Sequence, residues 1–134
     1  IITLNNSAFL IGTNVAVNNT NTLGTFNNTN SIHITSTDSG VGVANSGTFS
    51  TLNNSGSVIV EGTNANAISN SGTFNTVNNY GVLTVGDGGS FAIYNSSGIT
   101  ALNNAGSITS GAGGAGIYND GSGTYRYYQF QFAD

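Results

Sequence analysis

Apolar residues recur along this chain in pairs six positions apart, with an Asn two positions into each pair. Ile68-Ser-Asn-Ser-Gly-Thr-Phe74 is one such unit, and Val77-Asn-Asn-Tyr-Gly-Val-Leu83 opens nine residues after its start. The first unit opens at Val17, Val43, Ile68, Ile93 and Ile117, and closes at Leu23, Phe49, Phe74 and Ile99. The second opens at Phe26, Leu52, Val77 and Leu102, with Leu4 heading an earlier partial row. It closes at Leu10, Ile32, Val58, Leu83 and Ile108, and a further apolar site two positions on holds Ile34, Val60 and Val85. A period of about 25 residues is the mark of stacked coils, each burying its apolar side against its neighbours.

Apolar positions separated by two, filled mainly by β-branched residues, predict short strands rather than helices. Asn-Gly, the strongest signal for a tight hairpin, is absent, so parallel stacking is favoured over antiparallel pairing. The nine-residue offset is the same in all four complete rows, whereas the stretch leading to the next row varies. Constant spacing belongs to the framework, and the variable stretches, such as Glu61–Asn66 and Ser110–Ala115, belong to loops. The pattern therefore predicts an all-β fold: a parallel β-solenoid, or β-helix, of about five coils with about 25 residues per coil.

Two Asn columns follow from the same alignment. One comprises Asn19, Asn45, Asn70, Asn95 and Asn119; the other comprises Asn6, Asn28, Asn54, Asn79 and Asn104. Pointing inward at corners, such amides can bond both the local backbone and the Asn of the next coil, forming ladders. Gly two residues later is expected to supply a positive φ at the corner. The Asn-x-Ser/Thr sequences at Asn5, Asn18, Asn27, Asn53 and Asn95 arise from the repeat itself. If the columns face inward, most of these are closed to glycosylation.

The run Asn70-Ser-Gly-Thr-Phe74, followed by Leu/Val-Asn-Asn-x-Gly, resembles the degenerate Asn-Ser-Gly-Thr-Ile repeats of β-helical passenger regions in bacterial autotransporters and related adhesins. The resemblance spans residues 4–121. It implies a β-helix and a surface location, and it covers adhesins, spacers and secreted enzymes alike. The chain lacks a recognisable translocator barrel, so the resemblance implies a passenger fragment or a separate protein with the same coil.

Composition narrows the function. Charged residues make up 4% of the 134, and Arg126 is the single Lys or Arg, so nucleic-acid binding through phosphate neutralisation is excluded. A polybasic membrane contact fails likewise, and no apolar run approaches the length of a membrane span. Without Cys there is neither a disulfide framework nor a thiolate site. The absence of a secretory leader and of an initiator Met suggests a processed product or an excised segment. The bias to Asn, Thr, Ser and Gly points to an extracellular or cell-surface location.

The solenoid is expected over residues 1–121, and residues 122–134 leave the repeat as an aromatic strand. No polar cap is recognisable at either end. The bare segment Ile1-Ile2-Thr3-Leu4 and the tail carrying Tyr125, Tyr127, Tyr128, Phe130 and Phe132 are therefore candidate assembly surfaces. The tail can cap its own subunit, add to a neighbour as a strand, or belong to a truncated barrel or linker. Among ionisable residues, His33 sits between Ile32 and Ile34 and should face outward, while Asp38, Glu61 and Asp87 fall in the variable stretches. Scattered surface acids are ordinarily solvated, so no catalytic residue, metal site or cofactor is assigned. Val85-Gly-Asp-Gly-Gly-Ser90 occurs once, whereas calcium-binding solenoids repeat their Asp in every coil.

These readings favour a structural subunit that stacks with itself head to tail into an extracellular filament, not an enzyme. The alternative is a monomeric adhesin whose variable loops bind host glycans or abiotic surfaces. An ice-binding solenoid is a third reading, disfavoured because Thr forms no regular Thr-x-Thr column.

Overall fold

The computed structural model describes residues 2–127, with side chains through Thr124. The first coil comprises β1 (Thr3–Asn6), β2 (Leu10–Gly12) and β3 (Val15–Asn19); the second β4 (Thr22–Asn28), β5 (Ser31–Ile34) and β6 (Val41–Asn45). The third holds β7 (Thr48–Asn54), β8 (Ser57–Val60) and β9 (Asn66–Asn70), and the fourth β10 (Thr73–Asn79), β11 (Val82–Val85) and β12 (Phe91–Asn95). The fifth holds β13 (Gly98–Asn104), β14 (Ser107–Ser110) and β15 (Ala115–Asn119), after which β16 (Ser122–Tyr127) begins a further level. No helix occurs among the described residues, and so none is long and apolar enough to cross a membrane.

Every third strand pairs in parallel with its equivalent one coil away. Sheet A follows the order β1-β4-β7-β10-β13-β16, sheet B holds β2, β5, β8, β11 and β14, and sheet C holds β3, β6, β9, β12 and β15. The chain is thus a β-solenoid of about five coils roughly 25 residues apart, as the periodicity predicts. The registers preserve the sequence columns, for example Phe26↔Leu52, Leu52↔Val77 and Val77↔Leu102. Their side chains fill the interior with Ile32, Val58 and Leu83 from sheet B and Val43, Ile68 and Ile93 from sheet C. Equal stacking makes like pack on like: the rings of Phe49 and Phe74 lie parallel within 13°, with centroids 4.8 Å apart.

Between sheets C and A, and between A and B, the chain turns in two residues. At both corners the carbonyl of the ladder Asn accepts one or two amides from the next coil; Asn54 O takes Tyr80 N at 2.7 Å and Gly81 N at 3.0 Å. The corner glycines do not supply positive φ, contrary to the expectation from sequence. A Cβ on Gly72 would collide with the carbonyl of Gly47, and one on Gly81 with that of Gly56, so these positions require close backbone approach. Positive φ is concentrated in the B-to-C loops, at Ser39, Gly62, Asn64, Gly88, Gly89 and Gly113, with Gly123 as the exception.

The boundary expected at residue 121 falls just before β16. That strand's backbone lies parallel on β13, with an irregularity between Ile99 and Ala101, and sets Tyr125 against Leu102, Arg126 against Asn103 and Tyr127 against Asn104. Through Tyr127 the chain therefore adds to its own stack. Ile1, Tyr128, Phe130 and Phe132 lie outside the described residues.

Gly81→Val should lower unfolding free energy by about 1–3 kcal/mol through overpacking. Urea denaturation checks this, and an unchanged midpoint would contradict the close-approach reading.

Candidate functional site

The inward amides form two ladders. At the A–B corner Asn6, Asn28, Asn54 and Asn79 each donate from Nδ2 to Oδ1 of the next member, ending on Asn104, at 2.7–2.8 Å. At the C–A corner Asn19, Asn45, Asn70 and Asn95 do the same, ending on Asn119, at 2.7–2.8 Å. Asn70 shows how fully each amide is used. Its Nδ2 also donates to Gly72 O and Gly98 O, both at 3.0 Å, and its Oδ1 accepts Gly72 N at 3.2 Å. Asn28, Asn54, Asn79 and Asn95 are fully buried, and among the described residues no buried side-chain polar atom lacks a partner.

Both ladders point the same way, with donors toward the C-terminal end of the stack. Each opens with an Oδ1 that receives no side-chain amide, on Asn6 and Asn19. The A–B ladder closes on Asn104, beyond which Tyr127 occupies the register position. The C–A ladder closes on Asn119, whose Nδ2 has no partner among the described residues. The N-terminal level also presents Ile2, Leu4, Phe9, Ile11 and Val15 to solvent.

A third column escaped the sequence reading. The Asn preceding each A–B ladder residue faces outward, and Asn27, Asn53, Asn78 and Asn103 each donate back to the preceding coil, reaching Asn5 at the start, at 2.8–2.9 Å. Its polarity opposes that of the inner ladders. The signal was the doubled Asn: strand alternation places one member inside and the other outside. Accordingly Asn5, Asn18, Asn27 and Asn53 face outward, and only Asn95 of the five Asn-x-Ser/Thr positions is buried. The expectation that most are enclosed is corrected.

His33, Asp38, Glu61 and Asp87 are absorbed locally. His33 faces outward; its Nε2 lies 2.8 Å from Glu61 Oε1, with the ring edge toward Phe9. Asp87 Oδ1 accepts Ala112 N at 2.8 Å. Asp38 accepts Asn64 Nδ2 at 2.8 Å, Thr63 Oγ1 at 3.0 Å and Ser39 Oγ at 3.0 Å. These bonds, Asn64 foremost, hold its carboxyl below the usual carboxylate range. Asp38, Glu61 and Asp87 therefore share one side of the stack, each bonded to an adjacent coil. No set of three His, Asp or Glu able to hold a metal occurs among the described residues. The Gly/Asp run is a turn, with Ser90 Oγ donating to Asp87 O at 2.8 Å and accepting Ala65 N at 3.0 Å. Beside it an open groove of about 370 Å³ is lined by Ile59, Glu61, Thr63, Thr84 and Asp87 among others.

No protein-family model, curated protein or solved structure matches the chain.

Asn70→Leu keeps the branched shape but removes the buried bonds to Asn45, Asn95, Gly72 O and Gly98 O. Each such bond contributes about 0.5–1.5 kcal/mol, so chemical denaturation should show a larger loss than for the outward Asn78→Ala, expected within about 0.5 kcal/mol. Asp38 has a depressed carboxyl, so its contribution is complete at neutral pH and is lost as pH falls through that lowered value. Amide exchange at residues 63–65 should therefore rise only in strong acid, and Asp38→Asn should remove that dependence.

Proposed function

We propose that the chain is a structural subunit of an extracellular filament or surface fibre, assembled by head-to-tail continuation of its solenoid. The observation that carries this reading is the shared polarity of the inner amide ladders. At the C–A corner the acceptor of Asn19 at one end complements the donor of Asn119 at the other, so unlike ends fit and like ends do not. Such a contact is heterologous and does not close, and repetition yields a fibre. Open parallel edges add backbone donors and acceptors to the joint, and the exposed Ile2, Leu4, Phe9 and Ile11 add apolar area at the N-terminal level. Tyr125 and Tyr127 belong to the strand at the opposite edge of sheet A. A formal charge of −4 over 134 residues opposes dense packing only weakly. The amides, the low charge and the repeat together favour kinship with autotransporter or adhesin passengers. Catalysis has no part in this reading, because Asp38, Glu61, Asp87 and His33 are engaged in local bonds.

The second reading, a monomeric adhesin, draws on the groove beside Glu61 and Asp87, which lies in the loops that vary from coil to coil.

Negative-stain microscopy and light scattering of the purified full chain separate the two. Unbranched fibres are expected, and Leu4→Lys with Ile11→Lys, placing charges on exposed edge positions, should leave a folded monomer. A wild-type chain that stays monomeric at all concentrations, and binds a surface saturably until the 61–66 and 86–90 loops are exchanged, would replace the fibre with the adhesin.

A further inference from the structure

We infer that the outer face of sheet A is a binding face for ice, taking the ordered water of a crystal surface as its ligand. This inference is independent of the fibre reading. The Thr columns that the sequence hid are resolved by the strand registers. Thr3, Thr25, Thr51 and Thr76 align on successive coils, with Ala101 next. Two positions along each strand stands the outward Asn column, Asn5, Asn27, Asn53, Asn78 and Asn103. The repeat unit is thus Thr-x-Asn instead of Thr-x-Thr, carried by four consecutive coils and continued as Ala101-Leu-Asn103 in the fifth.

Three properties of this face point to a neutral, periodic, hydrogen-bonding partner. First, its outward positions from β1 to β13 carry no charged and no aromatic side chain. Sheet B displays Ile11, His33 and Ile59 outward, and sheet C displays Tyr94 and Tyr118, so the other faces lack this uniformity. The absence of aromatic rings also removes the stacking platform that a sugar ring would use. Second, the hydroxyls of Thr25, Thr51 and Thr76 have no partner among the described residues, although each residue is half-buried by its neighbours. By contrast, the sheet-B hydroxyls of Thr84 and Thr109 bond each other at 2.9 Å. Third, each outward amide from Asn27 to Asn78 spends one N–H and one lone pair within its column. An Asn side chain has two of each, so the second N–H and the second lone pair remain for the ligand.

The spacing is fixed by the backbone. Columns repeat at about 4.7–4.9 Å across the sheet, and Thr and Asn stand about 6.6 Å apart along each strand. The cross-sheet repeat lies close to a water-to-water repeat on ice faces. The amide column bonds to itself and so immobilises its side chains before binding, which lowers the ordering cost that a crystal surface would otherwise impose. The array ends where Arg126 takes the register position after Asn103.

The test is thermal hysteresis and ice-crystal shaping by the purified full chain, with the folded state confirmed by circular dichroism. Hysteresis is expected in the wild type, lost in Thr51→Tyr and in Thr76→Lys, and retained in Ser69→Tyr, which places the same ring on sheet C. The two sheet-A variants guard against misfolding of either one. A folded wild type without hysteresis would overturn the proposal. So would equal loss in Ser69→Tyr, or adsorption to crystalline chitin or cellulose without any effect on ice.

Discussion

Parallel backbone pairing holds every coil of this molecule at one fixed step from the next, and the other features depend on that step. At about 4.8 Å, an amide side chain in one coil is within hydrogen-bond reach of its equivalent in the next, so a column of Asn becomes a ladder. The same step lets Phe49 stack on Phe74 and brings Gly81 onto the carbonyl of Gly56. The inner columns therefore favour residues that pack on copies of themselves. Aliphatic residues, Phe, Asn and Gly satisfy this rule inside; Thr, Ser and Asn satisfy it outside. A column of charges would not, which accounts for the scarcity of Lys, Arg, Asp and Glu better than any ligand does.

The inner ladders do more than fill the corners. The corner carbonyls accept backbone amides from the next coil, as Gly72 O accepts Gly98 N at 3.2 Å, and keep a lone pair for a side chain. Asn70 Nδ2 bonds two carbonyls at this corner, Gly72 O and Gly98 O, while bonding Asn95. Burying a primary amide is costly unless all its groups are paired, and here the corner geometry supplies the partners. Because every amide donates in the same direction, the ladders give the solenoid a chemical polarity. The outward column, with reversed polarity, is held by no corner and leaves hydrogen-bonding capacity facing solvent.

Departures from the repeat are concentrated on the third side. The B-to-C loops hold nearly all the positive-φ residues, and Asp38, Glu61 and Asp87 with them. These acids bond across coils to Asn64, His33 and Ala112, so even the variable stretches are drawn into the stack.

Much of this was legible in the sequence. Columns such as Ile68, Ile93 and Val43 are set by periodicity, because a parallel stack places residues one period apart on top of each other and no other contact is needed to align them. The inner ladders followed from the same logic, since Asn70 and Asn95 recur where an amide can reach its copy. The role of the corner glycines was not legible: positive φ and close approach demand the same residue, and only the position of the Gly56 carbonyl tells them apart. Nor was the Thr-x-Asn face, because the bend between Leu23 and Phe26 shifts the strand alternation and obscures which of Thr22, Gly24 and Thr25 faces out. The one-dimensional repeat determined the coil, its period and its interior. Which polar residues face solvent, and in which direction each amide donates, was decided only by the tertiary fold, because both depend on where the backbone bends between coils.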